Sequence, residues 1–260
     1  MNDPYIGITG FTDRAEVEHA LNFFPEDSSR RLMVGVLGSN HTLLHGKERP
    51  HTPDRYPHAY DVPSIFTDDP RCLNFIHYTT TEPTKIVAEI DQVVALAGPN
   101  LHGIQLNIWL PWPKWFAEIK QRHPQLLLVL QLNQSLMSFA GNRAMSPREM
   151  AVNASNYEAD YVLIDRSSGT GALIGNDTGV IVEQFYDTTI VEYRKMMVGI
   201  AGGLSADTLP HIADILKRHP EVSIDAESCL RDAGDQLDPK KVEQYLTAAH
   251  AVYPEERLQW

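Results

Sequence analysis

The feature that most constrains this chain is an alternation. Apolar runs too brief to be helices recur along it, and most are separated by a stretch with helical period. Runs at 5–9, 32–37, 73–77, 103–106, 126–132, 161–165, 197–201 and 222–226 read as strands. Between the first two, the stretch 14–24 puts Val17, Ala20, Leu21 and Phe24 on one helical face, with Thr12 as the candidate N-cap. The stretch 83–97 aligns Ile86, Ile90, Val93, Val94 and Ala97, with Pro83 in its first turn. A helix is expected over 205–217, opened by Ser205 and carrying Leu209, Ile212, Ile215 and Leu216, and another over 239–251 after Asp238. Strands that alternate with helices pair in parallel through right-handed crossovers. Eight such units predict an α/β fold in which residues 1–260 form one (β/α)8 TIM barrel, the open doubly wound sheet being the alternative.

One stretch breaks the rhythm. Residues 40–69 follow the second run, where a helix is due, but they are rich in Pro, His and Tyr and have no helical period. Long irregular connections in compact domains are usually lids, binding loops or disorder, and this one reads as a lid-like insertion. It carries His41, His45, His51 and His58 without a carboxylate set or regular ligand spacing. A solvated loop therefore fits them better than a metal site, and no metal is expected.

Charge and cysteine content narrow the partners. The formal charge is −12 and no cluster of Lys or Arg interrupts it, which argues against nucleic acid or an anionic membrane surface. An anion would have to be held locally, by backbone N–H groups or a single basic residue. The two cysteines, Cys72 and Cys229, have neither a C-x-x-C spacing nor a disulfide pattern. The first residues lack the basic-then-apolar order of a secretory signal, and the longest apolar runs are far below membrane-spanning length. A reducing, cytoplasmic setting is the expectation.

In such a barrel the chemistry gathers at the C-terminal ends of the strands. Four sequences fall there. Ala201-Gly202-Gly203-Leu204-Ser205 ends the seventh run; paired glycines ahead of a helix start can let backbone N–H groups close on a phosphate, or can simply make a tight turn. Asp225-Ala226-Glu227-Ser228-Cys229 ends the eighth, and loops after the seventh and eighth strands commonly build a barrel's phosphate site together. Glu227 is repulsive there unless it points away, and an ordinary loop with a Ser cap is the plainer reading. Ile164-Asp165 ends the sixth, where a carboxylate is costly without a partner or a task; Gly169-Thr170-Gly171 follow in a small, Gly-rich loop. A structural Asp165 paired with Arg166 is the alternative. Thr9 ends the first run and should point into the mouth, unless its hydroxyl only bonds backbone.

Taken in order, these motifs resemble phosphoribosylanthranilate isomerase of tryptophan biosynthesis. That family's barrel begins K-[IV]-C-G-[IL]-T, where this chain has Gly7-Ile8-Thr9-Gly10-Phe11-Thr12. Its V-Q-L-H-G stretch is similar to Ile104-Gln105-Leu106-Asn107-Ile108, and its L-L-D with a following G-G-T-G loop to Leu163-Ile164-Asp165 with Ser168-Gly169-Thr170-Gly171. Its L-A-G-G-L matches Ile200-Ala201-Gly202-Gly203-Leu204, and its V-D-V-S-S-G-V-E is a looser match to Ile224-Asp225-Ala226-Glu227-Ser228-Cys229-Leu230.

The resemblance implies a cofactor-free Amadori rearrangement of an N-linked aminoaldose phosphate. A general acid opens the sugar ring and a Cys thiolate removes a proton from its second carbon. The acid falls on Asp165 and the base on Thr9, whose hydroxyl is a poor base at neutral pH without an activating neighbour. Asn107 stands where the family has His, and no Arg closely follows the second run. The expectation is thus an isomerase-like enzyme for a phosphorylated sugar or nucleotide-like ligand. Asp165 and Thr9 would be catalytic, with His77 or Asp225 as substitute bases. Gln105, Asn107, Gly169, Thr170, Gly171 and Asp225 would contact the ligand, and Gly202, Gly203 and Ser228 its phosphate. The second reading is a non-catalytic ligand-binding or regulatory barrel that has lost its base.

Overall fold

The computed structural model describes residues 2–47, 53–108, 112–132, 146–165, 178–187 and 196–253. Its strands are β1 (Tyr5–Thr9), β2 (Arg31–Ser39), β3 (Cys72–Thr79), β4 (Gly103–Leu106), β5 (Leu127–Leu132), β6 (Tyr161–Asp165), β7 (Met197–Ala201) and β8 (Ser223–Ala226). Each pairs in parallel with the next, and β8 returns to β1, so the sheet closes into a barrel in sequential order. The described α-helices are α1 (Arg14–Leu21), α2 (Val62–Ile65), α3 (Ile86–Ala97), α4 (Pro113–Arg122), α5 (Pro147–Ala154), α6 (Thr178–Asp187), α7 (Ala213–Arg218) and α8 (Pro239–Val252).

Strand alternation divides the apolar residues between two layers. One set, including Ile6, Ile8, Val34, Val36, Ile76 and Ile224, packs outward against the helices. The other fills the barrel itself: Tyr5, Met33, Phe75, Val129, Tyr161, Leu163 and Met197. The rings of Tyr5, Phe75 and Tyr161 meet edge-on or tilted with centroids 5.3–6.2 Å apart, which plugs the N-terminal half of the lumen. Burying each such side chain contributes roughly 1.5–3 kcal/mol before entropy is counted. The next inward position along five strands is polar instead: Thr9, His77, Gln105, Gln131 and Asp165 follow Gly7, Phe75, Gly103, Val129 and Leu163. The lumen is therefore apolar below and polar at the C-terminal rim.

Several local expectations are corrected. α1 is capped by Asp13, not Thr12; Asp13 accepts from the Glu16 N–H, and Glu16 reaches back to the N–H groups of Thr12 and Asp13. No helix starts at Ser205. Gly202 and Gly203 take φ of +107° and +63°, and the Thr208 hydroxyl then ties down the Ser205 N–H and the Gly203 carbonyl. That side-chain turn delays the helix to a 3-10 segment at Leu209–Ile212 and then α7. α8 does begin after Asp238, whose carboxylate accepts from the Lys240 and Lys241 N–H groups.

The stretch 40–69 holds short turns rather than one helix. A wide helical turn at Asn40–Leu44 is boxed by Ser39 and Thr42, a 3-10 turn covers Pro53–Arg55, and α2 is a single turn. Val62, Ile65 and Phe66 are fully buried, so the end of this stretch belongs to the core rather than to a cover.

Candidate active site

The polar rim is built by strand register. Asp165 pairs with Ala201 and Ala201 with Asp225, so the two carboxylates stand level on β6 and β8 with one strand between them. At a strand spacing of about 4.8 Å their α-carbons lie roughly 9 Å apart. Gly7 is the β1 partner of Asp225, and a Cβ there would lie 2.9 Å from Asp225 Oδ1. The absence of that side chain is what lets the Asp225 carboxylate turn into the lumen.

Thr9 meets Asp225 directly. Its hydroxyl lies 2.9 Å from Oδ1 and 3.1 Å from Oδ2 and donates to the carboxylate. The same oxygen is 3.3 Å from Nε2 and 3.4 Å from Nδ1 of His77, nearly equidistant, so this contact does not fix the tautomer. All three side chains are buried. Burial pushes the Asp225 carboxyl well above the ordinary carboxylate range; the Thr9 hydroxyl pulls it down, and the charges of Glu227 and Asp165 push it up. Burial likewise lowers the His77 imidazole to about 3, so the ring is neutral.

Asp165 anchors a second chain of contacts. Gln131 Nε2 donates to Asp165 Oδ2 at 2.7 Å, and Gln105 Nε2 donates to the Gln131 side-chain Oε1 at 3.3 Å. Gln105 and Asp165 are buried, whereas Asn107 is exposed just past β4, its N–H bonded to the Tyr78 carbonyl. The structure thus joins Thr9 to Asp225 and Gln105 to Asp165. Gly202, Gly203 and Ser228 lie beyond the neighbouring strands β7 and β8, with Ser228 opening a 3-10 turn. Gly169, Thr170 and Gly171 lie outside the described residues.

Sequence reasoning missed one side chain in the chain of contacts to Asp165 and a charged cluster. Gln131 was legible, as a polar end to an apolar run of inward parity. The cluster was not: Arg55, from the turn Pro53–Arg55, forms a two-pronged ion pair with Asp235 at 2.6 and 2.7 Å and donates to Glu227 at 2.9 Å. An arginine from the connection after the second strand therefore meets the segment that follows β8. Desolvation raises the Glu227 carboxyl, against the lowering effect of Arg231 and Arg55. Among the histidines of the insertion, His41 and His45 have ring centroids 6.3 Å apart and His58 stacks on Tyr60; His51 lies outside the described residues.

No protein-family model matches this sequence, and no curated protein matches it. Solved structures do. The crystal structure of phosphoribosyl anthranilate isomerase from Thermus thermophilus superposes with a TM-score of 0.63 over 95% of this chain and 99% of that one, at 14% identity. This chain has the fold of phosphoribosylanthranilate isomerase. A second isomerase structure, in complex with reduced 1-(o-carboxyphenylamino)-1-deoxyribulose 5-phosphate, gives 0.60 over 95% of this chain and 99% of that one, at 16% identity. The catalytic domain of a chitinase from Pyrococcus furiosus also aligns, at 0.56 and 8% identity over 98% of both chains. The isomerase fold is therefore a scaffold shared with other chemistry, and function has to be argued from the rim residues. No described helix is long and apolar enough to cross a membrane.

Proposed function

We propose that this barrel is an isomerase-type acid–base enzyme for a phosphorylated sugar or nucleotide-like substrate, working without a cofactor. The observation that carries this reading is the Thr9–Asp225 hydrogen bond at 2.9 Å, level across the rim from Asp165. Two carboxylates in different surroundings are a common way for one site to hold an acid and a base together. Asp165, oriented by Gln131, protonates the leaving ring oxygen. Asp225, in its carboxylate form, accepts the proton from the adjacent carbon. Thr9, a poor base itself, orients Asp225, and neutral His77 completes the buried contact on its other side.

Gln105, Asn107 and the loop containing Gly169, Thr170 and Gly171 contact the rest of the substrate in this reading. The phosphate lies against Gly202, Gly203 and Ser228. Support for that comes from the adjacency of β7 and β8, from the missing side chains at two positive-φ glycines, and from the phosphorylated ligand named in one isomerase complex. It does not come from a helix dipole, because the helix after Gly203 starts late. The turn at Pro53–Arg55 serves as the cover, tied down through Arg55.

A fluorescence assay with phosphoribosylanthranilate tests the reading. Turnover by the natural protein is expected to be slow or absent, and to rise in Thr9→Cys, which restores the family's thiol. In whichever variant turns over, Asp165→Asn should lower the rate by roughly two to four orders of magnitude. A loss below tenfold in Asp165→Asn makes Asp165 structural and sinks the assignment.

A further inference from the structure

Beside this rim lies a charged group without a complete set of partners. Arg231 follows the 3-10 turn Ser228–Leu230 and is only 5% exposed. Its Nη1 donates to the Asp235 carbonyl at 2.6 Å, but its Nε and Nη2 have no hydrogen-bond partner among the described residues. Buried guanidinium N–H groups are costly to leave unpaired, and such orphans call for an occupant. The two orphaned nitrogens form the side-on fork of the guanidinium, the edge that grips two oxygens of one carboxylate or phosphate. This protein uses that same edge twice elsewhere: Arg55 holds Asp235 through Nε and Nη2, and Arg71 holds Asp69 the same way.

The fork is placed by its surroundings. Gly10 directly follows Thr9, and a Cβ on Gly10 would lie 1.8 Å from Arg231 Nη2 but 3.0 Å from Cζ, so the Nη2 end of the guanidinium abuts the backbone just past the β1 exit and only a glycine leaves it room. Glu227 is a neighbouring carboxylate, yet it bonds Arg55 rather than Arg231. The neighbouring Arg55 and Glu227, whose charges act on Arg231, are 23% and 29% exposed at their side chains.

We propose that Arg231 is an oxyanion receptor, gripping two oxygens of one phosphate or carboxylate through its Nε and Nη2. The inference rests on the proposed function only in assigning that anion to a substrate; anion binding itself is measurable without turnover. Thermal unfolding of the full chain is followed against inorganic phosphate and, in parallel, acetate at matched ionic strength. The wild type should show a saturable rise in Tm, with phosphate or acetate giving the tighter curve according to which group the site takes. Arg231→Met should abolish the rise with acetate and sharply weaken it with phosphate, any remainder coming from the proposed site at Gly202, Gly203 and Ser228. Arg231→Lys, which keeps the charge but not the fork, should weaken apparent affinity by about tenfold or more. Glu227→Gln should tighten it, because a competing negative charge is gone. Asp165→Asn should leave the rise intact, so a failure of the catalytic reading is separable from a failure here. No saturable rise in the wild type, an undiminished rise in Arg231→Met and Arg231→Lys, or a rise abolished by Arg55→Gln but kept in Arg231→Met each overturns the proposal.

Discussion

Thr9 and Asp225, separated by almost the whole chain, share a hydrogen bond of 2.9 Å inside the barrel. Two absent side chains permit it. A Cβ at Gly7 would approach Asp225 Oδ1 to 2.9 Å, and one at Gly35 would approach the Thr9 hydroxyl to 2.7 Å. The pair therefore depends on three neighbouring strands, β8, β1 and β2, and not on any local motif.

The first prediction concerns that bond. Thr9→Val keeps the shape and removes the donor, leaving Asp225 buried without it. A hydrogen bond to a charged group is worth about 1.5–3 kcal/mol, so kcat should fall by roughly ten- to a hundredfold. Thr9→Ser should recover most of the rate. Steady-state kinetics of the two variants on a phosphorylated substrate that the natural protein turns over checks this, and equal rates for Val and wild type would make the contact incidental to turnover.

Asp225 should trade stability for activity. Its folded carboxyl is held above the ordinary range by burial, so the folded state binds the proton more tightly than the unfolded chain does. Stability from this group is fullest below the ordinary carboxylate range and is lost as pH rises through its raised folded value. Asp225→Asn removes the ionisable group, so it should unfold at higher denaturant than wild type near pH 8 while losing turnover. A variant that is both less stable at pH 8 and fully active contradicts the assignment.

His77 has the opposite sign. The folded state keeps the ring neutral down to about pH 3, while the unfolded chain protonates near the ordinary 6.5. As pH falls through that window the unfolded state gains a proton, and stability drops by up to about 1.4 kcal/mol per pH unit. His250, lowered to about 4 by burial and Arg30, adds a slope of the same sign. Denaturant titrations from pH 7 to 4 should show His77→Gln losing about one proton's worth of slope and retaining that of His250. An unchanged slope would mean that His77 is already charged or exposed.

The barrel was legible because its signal is local and repeated. β1, β4, β6 and β7 have the bounds that their apolar runs predict, and the inward parity of Thr9, Gln105, Asp165 and Asp225 follows from alternation. Signals that compete over one or two residues were less legible. Thr12 and Asp13 are both good caps, and only the reach of Glu16 selects Asp13. Ser205 looks like a helix start, but Thr208 closes a turn on it first. Long-range charge pairing was not legible at all. Arg55 meets Glu227 across 172 positions, and nothing in the spacing of Pro53–Arg55 announces it. The orphaned fork of Arg231 likewise exists only once the β1 exit at Gly10 has folded over it.

The central claim, that Asp165 and Asp225 form an acid–base pair, is tested most directly by proton exchange. The protein is incubated in heavy water with phosphorylated aldoses and N-substituted aminoaldose phosphates, phosphoribosylanthranilate included, and deuterium at carbon is followed by NMR. The account predicts that at least one substrate acquires carbon-bound deuterium, and that Asp225→Asn and Asp165→Asn each slow this by roughly two to four orders of magnitude. Incorporation at the wild-type rate in Asp225→Asn, or none with any substrate, would contradict it.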